Sequence, residues 1–267
     1  MLLDGKVAVV SGVGPGMGRD VALALAAEGA SLALGARRDR YLRPVAEEVE
    51  ALGRPVVWQP TDITADGDCR RLAAAAAEAF GGIDVLVNNA GHGGTYAPLA
   101  GADPASHRAT IEVNLMGTLQ MTNAVIPHLE ARGGGRIVMV GSNVSGPVVV
   151  EHFGSYGMSK AALEHATRHL AVELGGRGIR VNMVLPGAIR GRAFDLYLEE
   201  IARRRGIPVE EVLAEQEART SLGYLPPSSE IAGTVVYLAS DLSRPVTGQS
   251  IRVDCGQWAA AAQPPVE

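Results

Sequence analysis

Short β-branched runs alternate along this chain with long Ala- and Leu-rich segments whose apolar positions recur at helical spacing. That alternation predicts an α/β fold, a parallel sheet carrying helices on both faces. The apolar runs predict strands over 7–10, 31–35, 56–59, 85–88, 136–140, 179–184 and 250–253. Helical periodicity predicts helices over 18–28, 41–52, 65–80, 106–132, 155–174 and 229–240, each beginning shortly after a strand ends. Runs such as VAVV and IDVLV are apolar on both faces, as burial between two helical layers requires, and this excludes a simple sandwich. Seven strands suffice for a doubly wound sheet.

One stretch breaks the alternation. Residues 190–227 are rich in Arg and Glu and carry helical segments of their own, which reads as an insertion over one end of the sheet and a natural substrate lid. No linker-like shift in composition divides the 267 residues and no repeat of fixed period is present, so the expectation is one domain, 1–267, with 190–227 as its lid. The terminal AAAAQPPVE is expected to fray.

Composition narrows the partners. A hydrophobic share of 47% with 20% charged residues is a globular balance with material for a large core. A net charge of -5 gives no basic footprint for nucleic acid or an anionic membrane surface. Asp4 and Lys6 fall too early for the apolar core of a secretory signal, and no apolar run reaches the ~18 residues of a membrane span, so a cytoplasmic protein is expected. The two cysteines, Cys69 and Cys255, have neither a disulfide framework nor a metal-ligand spacing, and no metal is expected.

The first strand runs into SGVGPGMG, with glycine at 12, 14, 16 and 18. Between a strand and a helix, missing Cβ atoms let backbone N–H groups and the helix N-terminus approach a dinucleotide pyrophosphate. The spacing is not the common G-x-G-x-x-G; Gly12, Gly16 and Gly18 form G-x-x-x-G-x-G instead.

Further motifs follow in order: Asp62 after the third strand, Asn88-Asn89-Ala90-Gly91 after the fourth, Asn114, Ser142, Tyr156-x-x-x-Lys160, Asn182 and Pro186-Gly187. Together with the glycine turn, these motifs resemble the short-chain dehydrogenase/reductase family, in the family's order and over nearly the whole chain. The resemblance implies a Rossmann-type sheet, a nicotinamide cofactor, hydride transfer at a ketone or secondary alcohol, and a dimer or tetramer. It also implies cofactor contacts from Gly12, Gly14, Gly16, Met17, Gly18, Arg37, Asp62, Ile63, Asn89, Ala90, Gly91, Tyr156, Lys160, Pro186, Gly187 and Ile189.

Hydride transfer to a ketone leaves an oxygen that must gain a proton, so a tunable acid/base is required. Tyrosine ionises near ~10, and service near neutral pH asks for roughly 3 to 4 kcal/mol of phenolate stabilisation. Lys160, one helical turn after Tyr156 on the same face, is the expected source. Only two lysines, Lys6 and Lys160, stand against 22 arginines, which makes a lysine at that position informative. Ser142 would hold the substrate oxygen: counting along the strand from Arg136 selects it, whereas counting back from Tyr156 lands on Asn143, with Ser145 a further substitute. By resemblance, the backbone carbonyl of Asn114 would anchor a water linking Lys160 to solvent. Asn88, Asn89 and Gly91 are expected along the crevice at the carboxyl edge of the sheet.

At the end of the second strand the chain reads GARRDR, with Ala36 where an NAD-preferring relative has aspartate. Arg37 and Arg38 can pair with a 2'-phosphate, so NADP(H) is preferred and NAD(H) remains possible. Gly14 and Pro15 supply no side chain for that phosphate. Arg190 and Arg192 recruit an acidic or phosphorylated substrate or pair with Glu199 and Glu200; Phe194, Leu196, Tyr197 and Leu222 suit a moderately apolar carbonyl compound. His165 and His169, about 180° around the helix from Tyr156, are expected in packing or at a subunit interface, with DCGQW near a second subunit. Two alternatives stand beside the oxidoreductase: a nucleotide-binding regulatory protein on the same fold, and an isomerase or dehydratase using the cofactor transiently.

Overall fold

A computed structural model describes residues 1–94, 97–146, 150 and 152–261. Seven strands form one parallel sheet: β1 (Val7–Ser11), β2 (Ser31–Ala36), β3 (Val56–Pro60), β4 (Val85–Asn88), β5 (Gly135–Val140), β6 (Ile179–Pro186) and β7 (Ser250–Val253), in the order β3-β2-β1-β4-β5-β6-β7. All seven expected strands are present, several a residue or two longer than their apolar runs.

Alternation along the strands explains the two-faced hydrophobicity. In β1, Ala8 and Val10 enter one core cluster and Val9 the other; in β4, Val85 and Val87 divide from Leu86 in the same way. Against the first face pack α1 (Met17–Ala27), α2 (Asp39–Ala51) and α9 (Ser228–Ala239), through Val21, Leu25, Leu42, Ile231 and Val235. Against the second pack α3 (Asp66–Phe80), α5 (Thr118–Ala131) and α6 (Gly154–Gly175), through Leu72, Met121, Val125 and Leu163. Each such side chain, fully withdrawn from water, stabilises the fold by about 1.5–3 kcal/mol before conformational entropy is counted.

Strand order reverses between β1 and β4, whose ends pair as Ser11 with Asn88. At such a switch point the loops leaving the carboxyl ends part and open a crevice. The turns after β1, β2, β3, β4, β5 and β6 all reach this edge, and every sequence motif singled out above except Asn182 follows one of them or sits on the helix that one leads into. Asn182 lies within β6 and ties it to the neighbouring loop, donating to the Val246 carbonyl at 2.8 Å and accepting from Gln249 N at 3.0 Å.

The helix expected over 106–132 is interrupted. It runs as α4 (Ala105–Ile111), a widened π turn over Glu112–Gly117, and then α5. Such turns occur mostly as single bulges, often at functional sites. Within 190–227, α7 (Arg192–Arg205) and α8 (Val209–Glu217) pack on one another around Leu198, Ala202 and Val212, separately from both faces of the sheet. A last helix, α10 (Gln257–Ala261), follows β7. No helix among the described residues is long and apolar enough to cross a membrane. Of the terminal AAAAQPPVE, residues 262–267 lie outside the described residues.

Candidate active site

Two cavities lie along the carboxyl edge of the sheet, one of about 410 Å3 over the β1–α1 turn and one of about 1180 Å3 over β5, β6 and α6. Both are lined by Met17, Asn89 and Gly91, which makes them one continuous crevice.

The glycine run divides into two kinds of position. A Cβ at Gly12, whose φ is 83°, would overlap the backbone of Ala90, and one at Gly18 would overlap the Gly12 carbonyl oxygen. Asn89 Nδ2 donates to that same carbonyl at 2.8 Å, so the turn is locked against the end of β4. At Gly14 and Gly16 a Cβ would meet nothing within 4 Å. Their bareness keeps open the approach to the start of α1, where the first N–H groups of a helix have no partner within it. Gly16, with φ at 102°, caps α1 and lines neither cavity.

The smaller cavity collects Gly12, Gly14, Met17, Gly18, Arg37, Asp62, Ile63, Asn89, Ala90 and Gly91 of the expected cofactor set, together with Arg38 and Tyr41. Burial pushes the Asp62 carboxyl up, but hydrogen bonds from Thr64 N at 3.0 Å and Thr64 Oγ1 at 2.7 Å, with the Arg37 charge, leave it below its usual value. Tyr41 is pulled down by hydrogen bonds from Arg40 and Arg38. Asn88 departs from expectation. Its side chain turns into the protein and donates to Thr122 Oγ1 at 2.9 Å, leaving Asn89 and Gly91 to line the crevice.

At the other end, Ser142, Tyr156, Lys160, Pro186, Gly187 and Ile189 line the larger cavity. Ser142 leaves β5 in extended conformation, and its hydroxyl is near enough to the Tyr156 phenol to favour the phenol's ionised form. Asn143 turns instead to Gln257, Nδ2 to Oε1 at 2.7 Å, and Ser145 donates to Glu164 at 2.7 Å. Of the three candidates for the substrate-oxygen position, Ser142 is the one whose hydroxyl acts on the phenol. Asn114, fully buried in the π turn, braces both sides of the site: Oδ1 accepts from His92 N at 2.6 Å, and Nδ2 donates to the His92 carbonyl at 3.0 Å and to Ser159 Oγ at 2.9 Å.

Lys160 Nζ lies 5.7 Å from the Tyr156 ring centroid and donates to the Val140 carbonyl at 2.8 Å. The ionisation of the pair runs against the sequence expectation. Burial raises the phenol above its ordinary value, opposed only by the Ser142 hydrogen bond, and the same burial lowers Lys160 to about 8. Desolvation dominates both shifts, and neither group's charge is among the causes of the other's.

Two other expectations are revised. Arg190 pairs with Asp195 at 3.0 Å, and Glu200 pairs with Arg203 and Arg204, because α7 satisfies its own charges. Phe194 and Tyr197 line the larger cavity, whereas Leu196 and Leu222 point to solvent. Within DCGQW, Gln257 lines the cavity of its own chain and its Oε1 also accepts from Ala188 N at 3.2 Å, while Trp258 lies against Gly146 with the Arg252 guanidinium 3.5 Å from its ring centroid. His165 and His169 stand exposed on the outer side of α6, Nε2 to Nε2 at 3.0 Å.

His92, Phe153, Gln216, Arg219 and Gln257 also line the larger cavity and were not read from the sequence. His92 directly follows the NNAG motif and could have been found by extending it; the others are brought in by tertiary structure alone.

A family model described as enoyl-(acyl carrier protein) reductase matches residues 12–257. The L-rhamnose 1-dehydrogenase (NAD(P)(+)) of Sphingomonas sp. (strain SKA58) is 34% identical over 258 residues, covering 96% of this chain and 98% of that protein. The cis-4-hydroxycyclohexanecarboxylate dehydrogenase of Sinomonas cyclohexanicum is 35% identical over 254 residues, 95% of this chain and 97% of that one. Among solved structures, carveol dehydrogenase from Mycobacterium avium in complex with NAD superposes with a TM-score of 0.90 at 30% identity, covering 97% of this chain and 99% of that one.

Proposed function

The chain belongs to the short-chain dehydrogenase/reductase family, and on that premise we propose that it is an NAD(P)-dependent oxidoreductase interconverting a secondary alcohol and a ketone. The observation that carries this reading is the convergence of Ser142, Tyr156 and Lys160 on one cavity wall, Lys160 Nζ 5.7 Å from the Tyr156 ring centroid, in a crevice continuous with the glycine turn.

The residues suit a dinucleotide: the approach over Gly14 and Gly16 is free of side chains, and Asp62, Ile63 and Ala90 flank it. Bound there, the nicotinamide would supply or accept the hydride. Ser142 donates a hydrogen bond to the substrate oxygen and orients it toward Tyr156. A phenol held above its ordinary pKa is protonated at neutral pH, so Tyr156 is ready to give its proton as the carbonyl oxygen gains negative charge. In the reverse direction Tyr156 must first ionise, and the positive charge of Lys160 opposes the cost of a buried phenolate. Neutral pH therefore favours reduction. Asn114 acts through position, holding the His92 backbone and α6 in register; a water relay at its backbone carbonyl belongs to the same reading.

NADP(H) is the preferred form in this reading. Ala36 leaves the end of β2 without a carboxylate, and Arg37 and Arg38 border the smaller cavity beside it. The pair α7 and α8 serves as a lid, supported by Phe194, Tyr197 and Gln216 on the cavity wall. Exposed His165, His169 and Val172 support pairing of subunits through α6 into a dimer or tetramer. The two curated relatives are named for a neutral sugar and for an alicyclic hydroxy acid, which leaves substrate charge to be decided from this chain.

The experiment is a panel of ketones and secondary alcohols with NADPH, NADH and their oxidised forms, followed at 340 nm. Turnover with NADPH favoured is expected. Nucleotide binding without turnover of any substrate would support a regulatory protein instead, and substrate conversion without absorbance change an isomerase or dehydratase.

A further inference from the structure

The chain carries 29 Asp and Glu residues among 267 and a net charge of -5, yet among the described residues no Asp or Glu lines the larger cavity. Its charged lining residues among those described are Lys160 and Arg219. Lys160 is buried beside Tyr156 and bonded to Val140, which leaves Arg219 as the cation at the far wall.

Arg219 follows α8 directly, on a turn fixed by its own backbone bond to the Gln216 carbonyl at 3.2 Å and by Thr220 Oγ1 donating to the Glu217 carbonyl at 2.8 Å. The neighbouring carboxylates are already engaged. Glu215 is gripped by both guanidinium nitrogens of Arg205 at 2.6 and 2.7 Å and feels the Arg219 charge only beyond ion-pair distance, and Asp195 holds Arg190. Among the described residues, Arg219 has no carboxylate within ion-pair distance, and Gln216, one helical turn before it, adds an amide donor on the same wall. Between this wall and Tyr156 the lining is apolar and aromatic, with Val144, Phe153, Ile189, Phe194 and Tyr197. At about 1180 Å3 the cavity exceeds the usual space of a drug-sized ligand, so it has room for a nicotinamide and a substrate larger than a small aliphatic ketone.

Resting on the oxidoreductase reading, we propose that the substrate is a keto acid or hydroxy acid in which an apolar ring or chain separates the reacting carbon from a carboxylate, and that Arg219, with Gln216, binds that carboxylate. A guanidinium presents two parallel donors to a carboxylate, and a cation at the cavity mouth also draws an anion in. Arg219 is thus a specificity residue, remote from the proton transfer.

The test uses matched pairs of keto acid and keto amide on cyclohexanone, acetophenone and steroid-sized skeletons, with wild type, Arg219→Ala and Arg219→Lys. Wild type is expected to favour the acid of at least one pair by about tenfold in kcat/KM, the scale of one exposed charged contact. Arg219→Ala should remove that preference by raising KM for the acid with kcat within about twofold, and leave the amide unchanged; Arg219→Lys should keep most of it, and added salt should erode it. Equal use of acid and amide by wild type, an equal loss on both in Arg219→Ala, or turnover of neutral ketones alone would overturn the carboxylate assignment and leave the oxidoreductase reading standing. Failure to reduce any ketone with either nucleotide would remove both.

Discussion

Lys160 donates to the Val140 carbonyl at 2.8 Å, so the cation carried by α6 is anchored to the last residue of β5, inside the protein. Burial lowers its pKa from 10.5 to about 8, and that difference costs roughly 3 kcal/mol of folding stability. The sign follows from proton counts: between the two pKa values the unfolded chain binds more protons, so stability rises with pH there. The cost is full below about 8 and vanishes above 10.5. Lys160→Met, which loses one hydrogen bond but no longer buries a charge, is expected to be more stable than wild type by about 1–2 kcal/mol at pH 7 while losing turnover. Urea unfolding at pH 7 and pH 10 measures this; a gap that favours wild type at pH 7, or does not change with pH, counts against it.

Tyr156→Phe removes the proton donor and little volume. Turnover should fall at least about 1000-fold with nucleotide affinity changed less than about threefold. Because the wild-type phenol sits above its ordinary value, ketone reduction should stay level through neutral pH, while alcohol oxidation should climb with pH. Isothermal titration and pH–rate profiles read the two effects, and retention of most activity in the variant would strip Tyr156 of its role.

Gly18→Ala and Gly14→Ala should separate folding from binding. The first drives a methyl into the Gly12 carbonyl and should cost about 2–4 kcal/mol. The second meets no protein atom within 4 Å and should leave stability within about 0.5 kcal/mol while weakening nucleotide binding severalfold. Thermal melts with and without nucleotide distinguish these outcomes; equal destabilisation by both would refute the division.

Ala36→Asp puts a carboxylate at the end of β2, facing Arg37 and Arg38. KM for NADPH should rise at least about tenfold while that for NADH falls or stays level. Kinetics with both nucleotides decide it, and an unchanged ratio would remove the β2 terminus from cofactor selection.

Much of this architecture is legible in the sequence because burial on two faces writes itself as uninterrupted apolar runs. The places where legibility ends have physical causes. The π turn at Glu112–Gly117 is set by which carbonyl each N–H bonds, and no residue type in EVNLMG announces that choice. Asn143 and Gln257 meet across 114 residues, a contact no local spacing announces. Arg190 chose Asp195 over the glutamates because α7 begins at Arg192 and places Asp195 in its first turn. Tyr156 and Lys160 were visible as neighbours, but the direction of their ionisation depends on solvent exclusion, which only the packed structure supplies.

Gln257 and Ala260, on the wall of the larger cavity, lie within the last dozen of the 267 residues, while all but Val113 of the smaller cavity comes from the first hundred. Selection for new substrates can therefore reshape part of the substrate wall through a short segment, none of whose described residues lines the cavity over the glycine turn. An engineer seeking altered substrate range has a correspondingly small segment to randomise.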